Sequence, residues 1–389
     1  MRVALLSHLA SATAPTGAER SLALLARGLC ARGHEVAVAT PGPWSLSGEL
    51  EVAGMSVQSI PVRPCWLVQY GPQPLWRQAA RGVRYAFPGS GGRRLRTWLS
   101  EFEPNVVYVN CLPHLRGAAA ARSLDLPVVW HLREMLPPGP RRRWFAGRLR
   151  SDANRIVAVS EAVAGWLREE GLGDRVEVVH NGVDPPTDVV DREAVRSHFD
   201  LPTDAIVVGL FGQLVIHKGA LDLVRAAHTA VSENRELHFL IAGHGPASFG
   251  RELRREIAAG PAAGRIHVVP PQPEIWELLA AVDVIALTTL WPDPLPRAVM
   301  EAMAAGRPVV AYKDGGVAEM VIDGETGRLC RPGNVEDLTR AILELADDEA
   351  LRGRLGEAGR KRARELFSVE RYLNRMEFIL KAAVSMERP

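Results

Sequence analysis

The sequence predicts an α/β protein of two domains, each with a doubly wound parallel β-sheet that helices cover on both faces. At 389 residues, the chain is too long for one ordinary core and suits two domains of roughly 100–200 residues each. Short apolar runs rich in Val and Ile alternate with helical patterns, which is typical of strands buried between helices. A Pro- and Asp-rich segment at 181–205 separates two such series, so we predict domains over 1–187 and 188–369.

The predicted strands of the first domain are short apolar runs bounded by polar residues, at 3–9, 34–40, 105–110, 127–132, 155–160 and 176–181. Those of the second domain follow the same pattern, at 205–211, 237–243, 265–270, 282–288 and 307–312. Among the helices, residues 19–32 carry leucines at helical spacing on one face and end at Gly33. A helix at about 370–389 has no strand after it, and we predict that it packs back on the first domain.

Composition gives no sign of a nucleic-acid partner. Charged residues make up 24% of the chain and its net charge is +2, so whole-molecule charge does not favour nucleic-acid binding. Scattered cysteines without a C-x-x-C pair argue against a disulfide framework and fit a reducing cytoplasm. The start MRVALLSHL is interrupted by His8 and is better explained as a buried strand than as a signal peptide. No stretch approaches about 18 apolar residues, so we expect no membrane-spanning helix.

The segment GLFGQLVIHKG at 209–219 places Lys218 after a strand and a glycine-containing turn, just before a helix. A lysine beside a helix N-terminus can bind an anion, although an exposed lysine at a turn explains the pattern equally well. The segment lacks the G-x-x-x-x-G-K-[ST] pattern of a P-loop. The chain also lacks a G-x-G-x-x-G pattern, which disfavours a dinucleotide-dependent dehydrogenase.

The segment WPDPLPRAVMEAMAAG at 291–306 places two carboxylates close to the end of a strand. Asp293 lies in the proline-rich loop, and Glu301 lies about one and a half turns into the following helix. Because the helix around Glu301 is otherwise apolar, we expect this carboxylate to be buried, where it needs hydrogen-bond donors. Two sugar hydroxyls would supply them, whereas an ordinary contact with the helix dipole is the alternative. Loops at the carboxyl ends of parallel strands are where such sheets bind ligands.

Seven segments in this order resemble the retaining glycosyltransferases of family four, which have the GT-B fold of two Rossmann-like domains facing a cleft. They are TGAER at 16–20, RGHEVAV at 32–38, VAVSEAV at 157–163, HNGVD at 180–184, GQLVIHKG at 212–219, LIAGHGP at 240–246 and DPLPRAVMEAMAAGRPVV at 293–310. The resemblance extends from residue 2 to about residue 370. It implies that a nucleotide-diphosphate sugar binds across the second domain.

The resemblance assigns donor-binding roles to the residues that match the family's motifs. Lys218 matches the lysine on the diphosphate, Glu301 the carboxylate on the ribose hydroxyls, and Asp293 the carboxylate on the transferred sugar. The backbone after Asp293 is implied to meet the sugar and the phosphates. The wider donor site implied by the resemblance consists of Gly17, Gly212, Gln213, Gly243, Gly245, Leu295, Pro296, Arg297 and Ala298.

Three residues are expected on the acceptor side. His131 matches the family's histidine beside the donor sugar, and Arg133 and Glu134 follow it. The expected catalytic residues are thus His131, Lys218, Asp293 and Glu301. Without the resemblance, a lone histidine after a buried strand is usually structural. Residues 63–96 and 141–150 are rich in Arg and aromatic residues. They are either an Arg-biased surface or a basic acceptor site that docks on anionic lipid at the inner face of the membrane, and the sequence favours neither.

Four residues depart from the family's pattern. Gln213 stands where the family usually has an arginine on the diphosphate, and Thr16 replaces the first of two glycines. Asp293 is one methylene shorter than the usual glutamate, and Pro296, which replaces a glycine, cannot donate a backbone hydrogen bond. These changes indicate either a different sugar or weaker catalysis. We favour a different sugar, because the three charged residues of the donor site keep their charges.

Together these residues predict a retaining glycosyltransferase that moves a hexose-type sugar from a nucleotide-diphosphate sugar to a hydroxyl acceptor. The acceptor is a glycan, a lipid-linked saccharide or a small molecule. No Asp-x-Asp metal motif stands at a suitable strand end, so we expect neither a metal nor a cofactor. The alternative is a nucleotide-sugar-binding protein with weak or no transferase activity, which Gln213 and Pro296 suggest. A nucleotide-sugar epimerase on the same fold is disfavoured by the paired carboxylates.

Overall fold

The chain forms two units, which a computed structural model describes over residues 1–13, 15–65, 90–186, 190–233, 236–272 and 274–385. The first unit consists of the residues up to Gly182 together with those from Val369 onward. The second unit runs from Val183 to Ser368. The boundary expected from the sequence, between residues 187 and 188, lies a few residues inside the second unit.

The first unit contains the strands β1 Arg2–Leu6, β2 Glu35–Thr40, β3 Ser56–Ser59, β4 Val106–Asn110, β5 Val128–Leu132, β6 Arg155–Ala158 and β7 Val176–Val178. Its first helices are α1 Gly17–Ala31, α2 Ser47–Val52, α3 Gly91–Phe102, α4 Leu115–Arg122, α5 Pro140–Asp152 and α6 Glu161–Glu169. The strands form one seven-stranded sheet in the order β3-β2-β1-β4-β5-β6-β7, and every pairing is parallel. All the strands that the sequence predicts for this unit are confirmed.

The second unit contains the strands β8 Ile206–Phe211, β9 Leu237–Ala242, β10 Ile266–Val269, β11 Val284–Leu287, β12 Val309–Tyr312 and β13 Gly327–Cys330. Its helices are α7 Arg192–His198, α8 Ala220–Ser232, α9 Ala247–Ala258, α10 Ile275–Ala281, α11 Arg297–Ala304, α12 Val317–Met320, α13 Val335–Asp347 and α14 Glu349–Phe367. The strands form a six-stranded parallel sheet in the order β10-β9-β8-β11-β12-β13. The predicted strands of this unit are confirmed as well.

Helix α1 shows how the sequence determines local structure at the edge of the first sheet. Leu22, Leu25 and Leu29 are completely buried on one face of the helix, as their spacing predicts. Thr16 is the N-cap, and its side chain accepts a hydrogen bond from the backbone N–H of Glu19. The Glu19 carboxylate in turn accepts one from the backbone N–H of Thr16 at 2.8 Å, which completes a capping box. These bonds fix the start of the helix at the carboxyl edge of the sheet.

The last helix, α15 Val369–Ser385, belongs to the first unit. Tyr372 and Met376 are buried in the same apolar core as the leucines of α1. The Glu377 carboxylate accepts a hydrogen bond at 2.8 Å from Nη1 of Arg32, at the end of α1. The helix therefore completes the core of a unit whose other elements are far away in the sequence.

Three buried histidines make the stability of the first unit depend on pH. Burial lowers the pKa of His8 to about 3 and that of His114 to about 4, and it also lowers the pKa of His131. Below the ordinary pKa of 6.5, the unfolded chain binds protons at these rings and the folded chain does not. The contribution of His8 and His114 to stability is therefore complete above pH 6.5 and falls as the pH falls towards 4, by up to about 1.4 kcal/mol per pH unit for each of these two rings.

The variant His114→Asn is expected to lose less stability as the pH falls. The slope of its unfolding free energy against pH should be smaller by about 1.4 kcal/mol per pH unit, which is the contribution of one proton. His114 is the N-cap of α4, where its Nδ1 accepts a hydrogen bond from the backbone N–H of Gly117 at 3.1 Å. Asparagine is also a good N-cap, so stability at neutral pH should change little. Urea unfolding across the acidic range measures the slope, with His198→Asn, at an exposed position, as the control. An unchanged slope in His114→Asn would show that His114 does not stay neutral in the folded protein.

Candidate functional site

The sheet of the second unit has a switch point in its strand order. β8 and β11 lie side by side, although β9 and β10 come between them in the sequence and extend the sheet beyond β8. The chain therefore leaves these two neighbours in opposite directions. This opens a crevice at their carboxyl ends, where such sheets bind ligands. Residues 212–219 and 288–296, which follow the two strands, carry Lys218 and Asp293.

Backbone and side-chain contacts tie these two segments together. Thr288 Oγ1 donates a hydrogen bond to the carbonyl oxygen of Gly219 at 2.8 Å. The backbone N–H of Leu290 donates to the carbonyl oxygen of His217 at 2.8 Å. The rings of His217 and Trp291 stack, with their centroids 4.4 Å apart and their planes 7° from parallel. The side chains of the two segments are thus held in fixed positions relative to each other.

Lys218 and Asp293 form an ion pair at the switch point. Lys218 Nζ lies 2.6 Å from Asp293 Oδ2, and the two side chains are only 28% and 16% exposed. Because both groups are partly shielded from water, the pair is stronger than an ordinary surface ion pair. The structure thus joins two residues to which the resemblance gives separate roles, at the diphosphate and at the sugar. An anion that binds Lys218 has to compete with the Asp293 carboxylate.

Glu301 is buried, as the sequence predicts, and one of its hydrogen-bond donors is a residue of its own helix that was not foreseen. Only 7% of the residue is exposed. Its Oε1 accepts a hydrogen bond from Arg297 Nε at 2.7 Å, one turn earlier in α11. Arg297 therefore supplies a hydrogen-bond donor that we expected sugar hydroxyls to supply. The Nη1 atom of Arg297 is enclosed and has no hydrogen-bond partner within the described residues.

The loop that carries Asp293 rests on a pair of glycines. The backbone N–H of Gly316 donates a hydrogen bond to the Asp293 carbonyl oxygen at 2.8 Å. A Cβ atom at Gly315 would lie 2.3 Å from the same oxygen, and one at Gly316 would lie 2.0 Å from the carbonyl oxygen of Pro294. The loop then leads through the buried Leu295 into α11, whose N-cap is Pro296 and whose first residues are Arg297 and Ala298. The glycine pair therefore allows the loop that carries Asp293 to pack closely against the segment that follows β12.

The variant Gly316→Ala is expected to destabilise the protein by about 1–3 kcal/mol and to move Asp293 away from Lys218. The added Cβ meets a backbone oxygen, which cannot rotate away as a side chain can. Gly353→Ala in α14 is the matched control, because nothing lies within 4 Å of an added Cβ there. Alanine should stabilise that helix by up to about 1 kcal/mol. Urea unfolding measures the stability of both variants. If Gly316→Ala is as stable as the wild-type protein, the loop accommodates the extra atom.

The expected donor site includes glycines in the segment after β8 and in the segment after β9, and these two segments pack closely against each other. A Cβ at Gly243 would lie 1.8 Å from the carbonyl oxygen of Gly212, and one at Gly245 would lie 1.8 Å from that of Leu214. Close packing of the two segments is thus sufficient reason for both glycines. Gln213 is exposed beside them. Contact between these four expected site residues and a donor stays a prediction.

The first unit has a second switch point, between β1 and β4. Gly17 begins α1 after β1, and Asn110 ends β4. The Asn110 side chain donates a hydrogen bond to the carbonyl oxygen of Ala18 at 3.3 Å and so links the two segments. The backbone N–H of Ser11 donates to Glu19 Oε1 at 2.7 Å, which holds the chain before the helix. Gly17 therefore lies at the edge where such sheets bind ligands.

His131 is enclosed in the core of the first unit. It lies near the end of β5 with no exposed surface, and its Nδ1 lies 2.7 Å from the Tyr108 hydroxyl oxygen. Burial, helped by the charge of Arg133, lowers the pKa of His131 well below its ordinary value, so the ring is neutral. Its Nε2 atom is also buried and has no hydrogen-bond partner within the described residues. Its role beside an acceptor stays a prediction, and Arg133 is closer to the edge of the sheet.

Arg133 spans the carboxyl edge of this sheet. Its Nε donates a hydrogen bond to Asn110 Oδ1 at 3.1 Å, and its Nη1 donates to Asn181 Oδ1 at 2.7 Å. Glu134 Oε2 accepts hydrogen bonds from the backbone N–H groups of Leu112 and Arg133, each at 3.0 Å, while burial raises the pKa of Glu134. Neither asparagine was predicted as a site residue. A signal was present for Asn110, which directly follows an apolar run, whereas Asn181 follows His180.

The two basic segments are described only in part. Residues 66–89 of the first one lie outside the described residues. The second forms α5, where Arg142 makes ion pairs with Glu169 at 2.6 Å and Glu170 at 2.7 Å, while Trp144 is exposed. Part of the basic charge on this helix is therefore used within the protein.

Membrane-spanning helices and metal-binding clusters of side chains are both absent from the described part of the chain. None of its helices is long and apolar enough to cross a membrane. In the same residues, no group of three or more His, Cys, Asp and Glu side chains is arranged to hold a metal ion. Peripheral contact with anionic lipid and independence of a metal stay predictions.

Two family models match the chain. Glycosyltransferase Family 4 matches residues 15–186, and Glycosyl transferases group 1 matches residues 191–362. The two matches together cover most of the chain. The chain therefore belongs to glycosyltransferase family four, and the resemblance found in the sequence is confirmed.

Relatives of known name match parts of the chain. The 2-deoxystreptamine glucosyltransferase of Streptomyces kanamyceticus is 30% identical over 219 residues, which are 54% of this chain and 54% of that protein. A D-inositol 3-phosphate glycosyltransferase of Corynebacterium aurimucosum is 31% identical over 229 residues, or 56% of this chain and 53% of that protein. The chain thus spans about half the length of these relatives.

Solved structures match the chain along its whole length. HepE of Anabaena, crystallised in complex with UDP-glucose, has a TM-score of 0.80 at 24% identity, with 98% of this chain and 100% of HepE covered. A glycosyltransferase from Rickettsia africae has a TM-score of 0.80 at 18% identity, with 99% of each chain covered. At these identities the likeness concerns the fold, and the GT-B fold implied by the resemblance is confirmed.

Proposed function

We propose that this protein is a retaining glycosyltransferase that moves a hexose-type sugar from a nucleotide-diphosphate sugar to a hydroxyl acceptor. The observation that carries the proposal is the Lys218–Asp293 ion pair at the switch point of the second unit. Lys218 Nζ and Asp293 Oδ2 are 2.6 Å apart. A cation and a carboxylate side by side suit a donor whose anionic diphosphate adjoins a sugar rich in hydroxyls. Glu301, buried on the helix that follows Asp293, is the proposed partner of the ribose.

The proposed mechanism is electrostatic. As the bond between the anomeric carbon and the phosphate oxygen breaks, the electron pair stays with the nucleoside diphosphate. Lys218 and the backbone N–H groups at the start of α11 stabilise that charge. The acceptor oxygen forms its bond to the anomeric carbon on the same face, and its proton leaves with the departing phosphate. The proposal requires no metal, no cofactor and no protein nucleophile.

UDP-glucose is the first donor to test. HepE of Anabaena was crystallised with UDP, with UDP and glucose, and with UDP-glucose, although it is at most 24% identical to this chain. The proposed acceptor side consists of Arg133 and Glu134, with His131 behind them. The relatives are named for different acceptors, 2-deoxystreptamine and D-inositol 3-phosphate, so an acceptor screen should include both compounds.

The competing proposal is a protein that binds nucleotide sugars without transferring them. Gln213 and Pro296 support it, because neither supplies the diphosphate contact expected at its position. The test is a thermal-shift screen of UDP-, GDP- and ADP-sugars, followed by measurement of nucleoside diphosphate release. A ligand at 100 times its Kd should stabilise the protein by about 2.7 kcal/mol.

Each result of this test has a definite meaning. Release that an acceptor accelerates, with the α-anomeric configuration of the donor kept in the product by NMR, would support the proposed function. Binding without release for any donor or acceptor would favour the competing proposal. A protein that binds no nucleotide sugar would contradict both.

A further inference from the structure

A pair of stacked rings, of which Trp291 is exposed and His217 is partly buried, adjoins the Lys218–Asp293 pair in the sequence. His217 directly precedes Lys218, and Trp291 lies two residues before Asp293. The ring planes are only 7° from parallel, and the hydrogen bond from Leu290 to the His217 carbonyl holds the two chain segments at this separation. The stack is therefore a built feature of the switch point, and its two members lie next to the two charged residues.

Two apolar side chains at this place are exposed, one in the stack and one beside it in the sequence. Trp291 is 37% exposed and Ile216, which precedes His217, is 67% exposed. Burial and the neighbouring charge of Lys218 lower the pKa of His217, so its ring is neutral at physiological pH. A tryptophan of a hydrophobic core would be hidden, whereas Trp291 is exposed and lies two residues before Asp293 in the same loop. An apolar surface with a few polar groups at its rim is typical of small-molecule sites.

We propose that Trp291, backed by His217, is a platform on which the pyranose ring of the donor sugar stacks, while Asp293 accepts hydrogen bonds from its hydroxyls. A pyranose has hydroxyls around its rim and C–H groups on its faces, so an aromatic surface bordered by a carboxylate matches both parts. This inference rests on the proposed function and adds to it a residue that selects the sugar. A nucleobase can also stack on an aromatic ring, and the experiment has to separate the two ligands.

The experiment compares binding of UDP-glucose, UDP and uridine to the wild-type protein and to Trp291→Ala by calorimetry. If UDP-glucose does not bind, the nucleotide sugar with the largest thermal shift and its own nucleotide replace these ligands. We expect Trp291→Ala to bind the nucleotide sugar roughly 2- to 12-fold more weakly, with unchanged affinity for the nucleotide. Trp291→Phe should keep most of the affinity, because it keeps a ring. Phe378→Ala removes an exposed aromatic side chain of the first unit and should change neither affinity.

Three outcomes would overturn the platform. Equal weakening of nucleotide sugar and nucleotide would assign Trp291 to the base or the phosphates. Unchanged affinity for both ligands in a folded Trp291→Ala would leave the ring without a role in donor binding. The third outcome is a wild-type protein that binds nucleotides but binds no nucleotide sugar more tightly than the matching nucleotide. Trp291 then makes no favourable contact with a sugar. Failure to bind any nucleotide at all would instead overturn the proposed function itself.

Discussion

Replacing Lys218 with alanine is expected to lower kcat/KM for the nucleotide sugar by about 10²–10³-fold, the usual cost of losing one donor that stabilises a developing negative charge. Binding of the nucleoside diphosphate should weaken roughly 10- to 150-fold, because a hydrogen bond to a charged group contributes about 1.5–3 kcal/mol. Binding of the nucleoside alone should hardly change. Calorimetry with UDP and uridine, together with steady-state kinetics, measures all three effects.

The ion pair requires a control for this result, since Lys218→Ala also leaves Asp293 without its partner. A stranded carboxylate would repel the diphosphate and enlarge the loss. The double variant Lys218→Ala/Asp293→Asn removes that repulsion, so any recovery of UDP binding measures it. Lys313→Ala, at an exposed lysine of the same unit, should have no effect. Equal loss of UDP and uridine binding in Lys218→Ala would show that the diphosphate contact is misassigned.

Asp293→Asn is expected to lower turnover by about 10²-fold, because the sugar loses the group that orients it. Affinity for the nucleoside diphosphate should stay the same or increase, since the variant frees Lys218 from its 2.6 Å ion pair. The change in charge, with the shape kept, makes this the clearest test of competition between Asp293 and the diphosphate. Calorimetry and steady-state kinetics on the same preparation distinguish the two effects.

Asp293→Glu tests whether the length of the side chain at this position matters. It keeps the charge and extends the carboxylate by one methylene towards the sugar pocket, so we expect it to change which nucleotide sugar is used. Kinetics with a panel of nucleotide sugars would show the change. If instead Asp293→Asn weakens the nucleoside diphosphate as much as the nucleotide sugar, then Asp293 serves the nucleotide or the fold.

Both sheets could be predicted because their inner strands are continuous apolar runs between helices. The two strands that were missed, β3 and β13, lie at sheet edges. β3 consists mostly of exposed residues, and β13 has partly exposed residues at its centre. An edge strand pairs on one side only and needs no apolar run. Sequence periodicity therefore detects strands by their burial and misses those that hydrogen bonding alone defines.

The candidate site shows a similar limit. Lys218 and Asp293 could each be recognised from a local motif, but their ion pair joins positions 75 residues apart and depends on β8 lying next to β11. The stack of His217 on Trp291 depends on the same neighbourhood. The contact between Arg297 and Glu301, in contrast, has ordinary i, i+4 spacing and could have been predicted. Long-range pairs require the strand order, which single motifs do not contain.

The position of α15 has a consequence for the order in which the chain folds during synthesis. The core of the first unit includes Tyr372 and Met376, which the ribosome adds only after the whole second unit has been made. The first unit therefore completes its core only after the second unit has been synthesised, so the second unit can fold before the first. This reverses the usual N-terminal-first order of domain folding. Until then, the surface that α15 will cover is exposed to other unfinished chains and to chaperones.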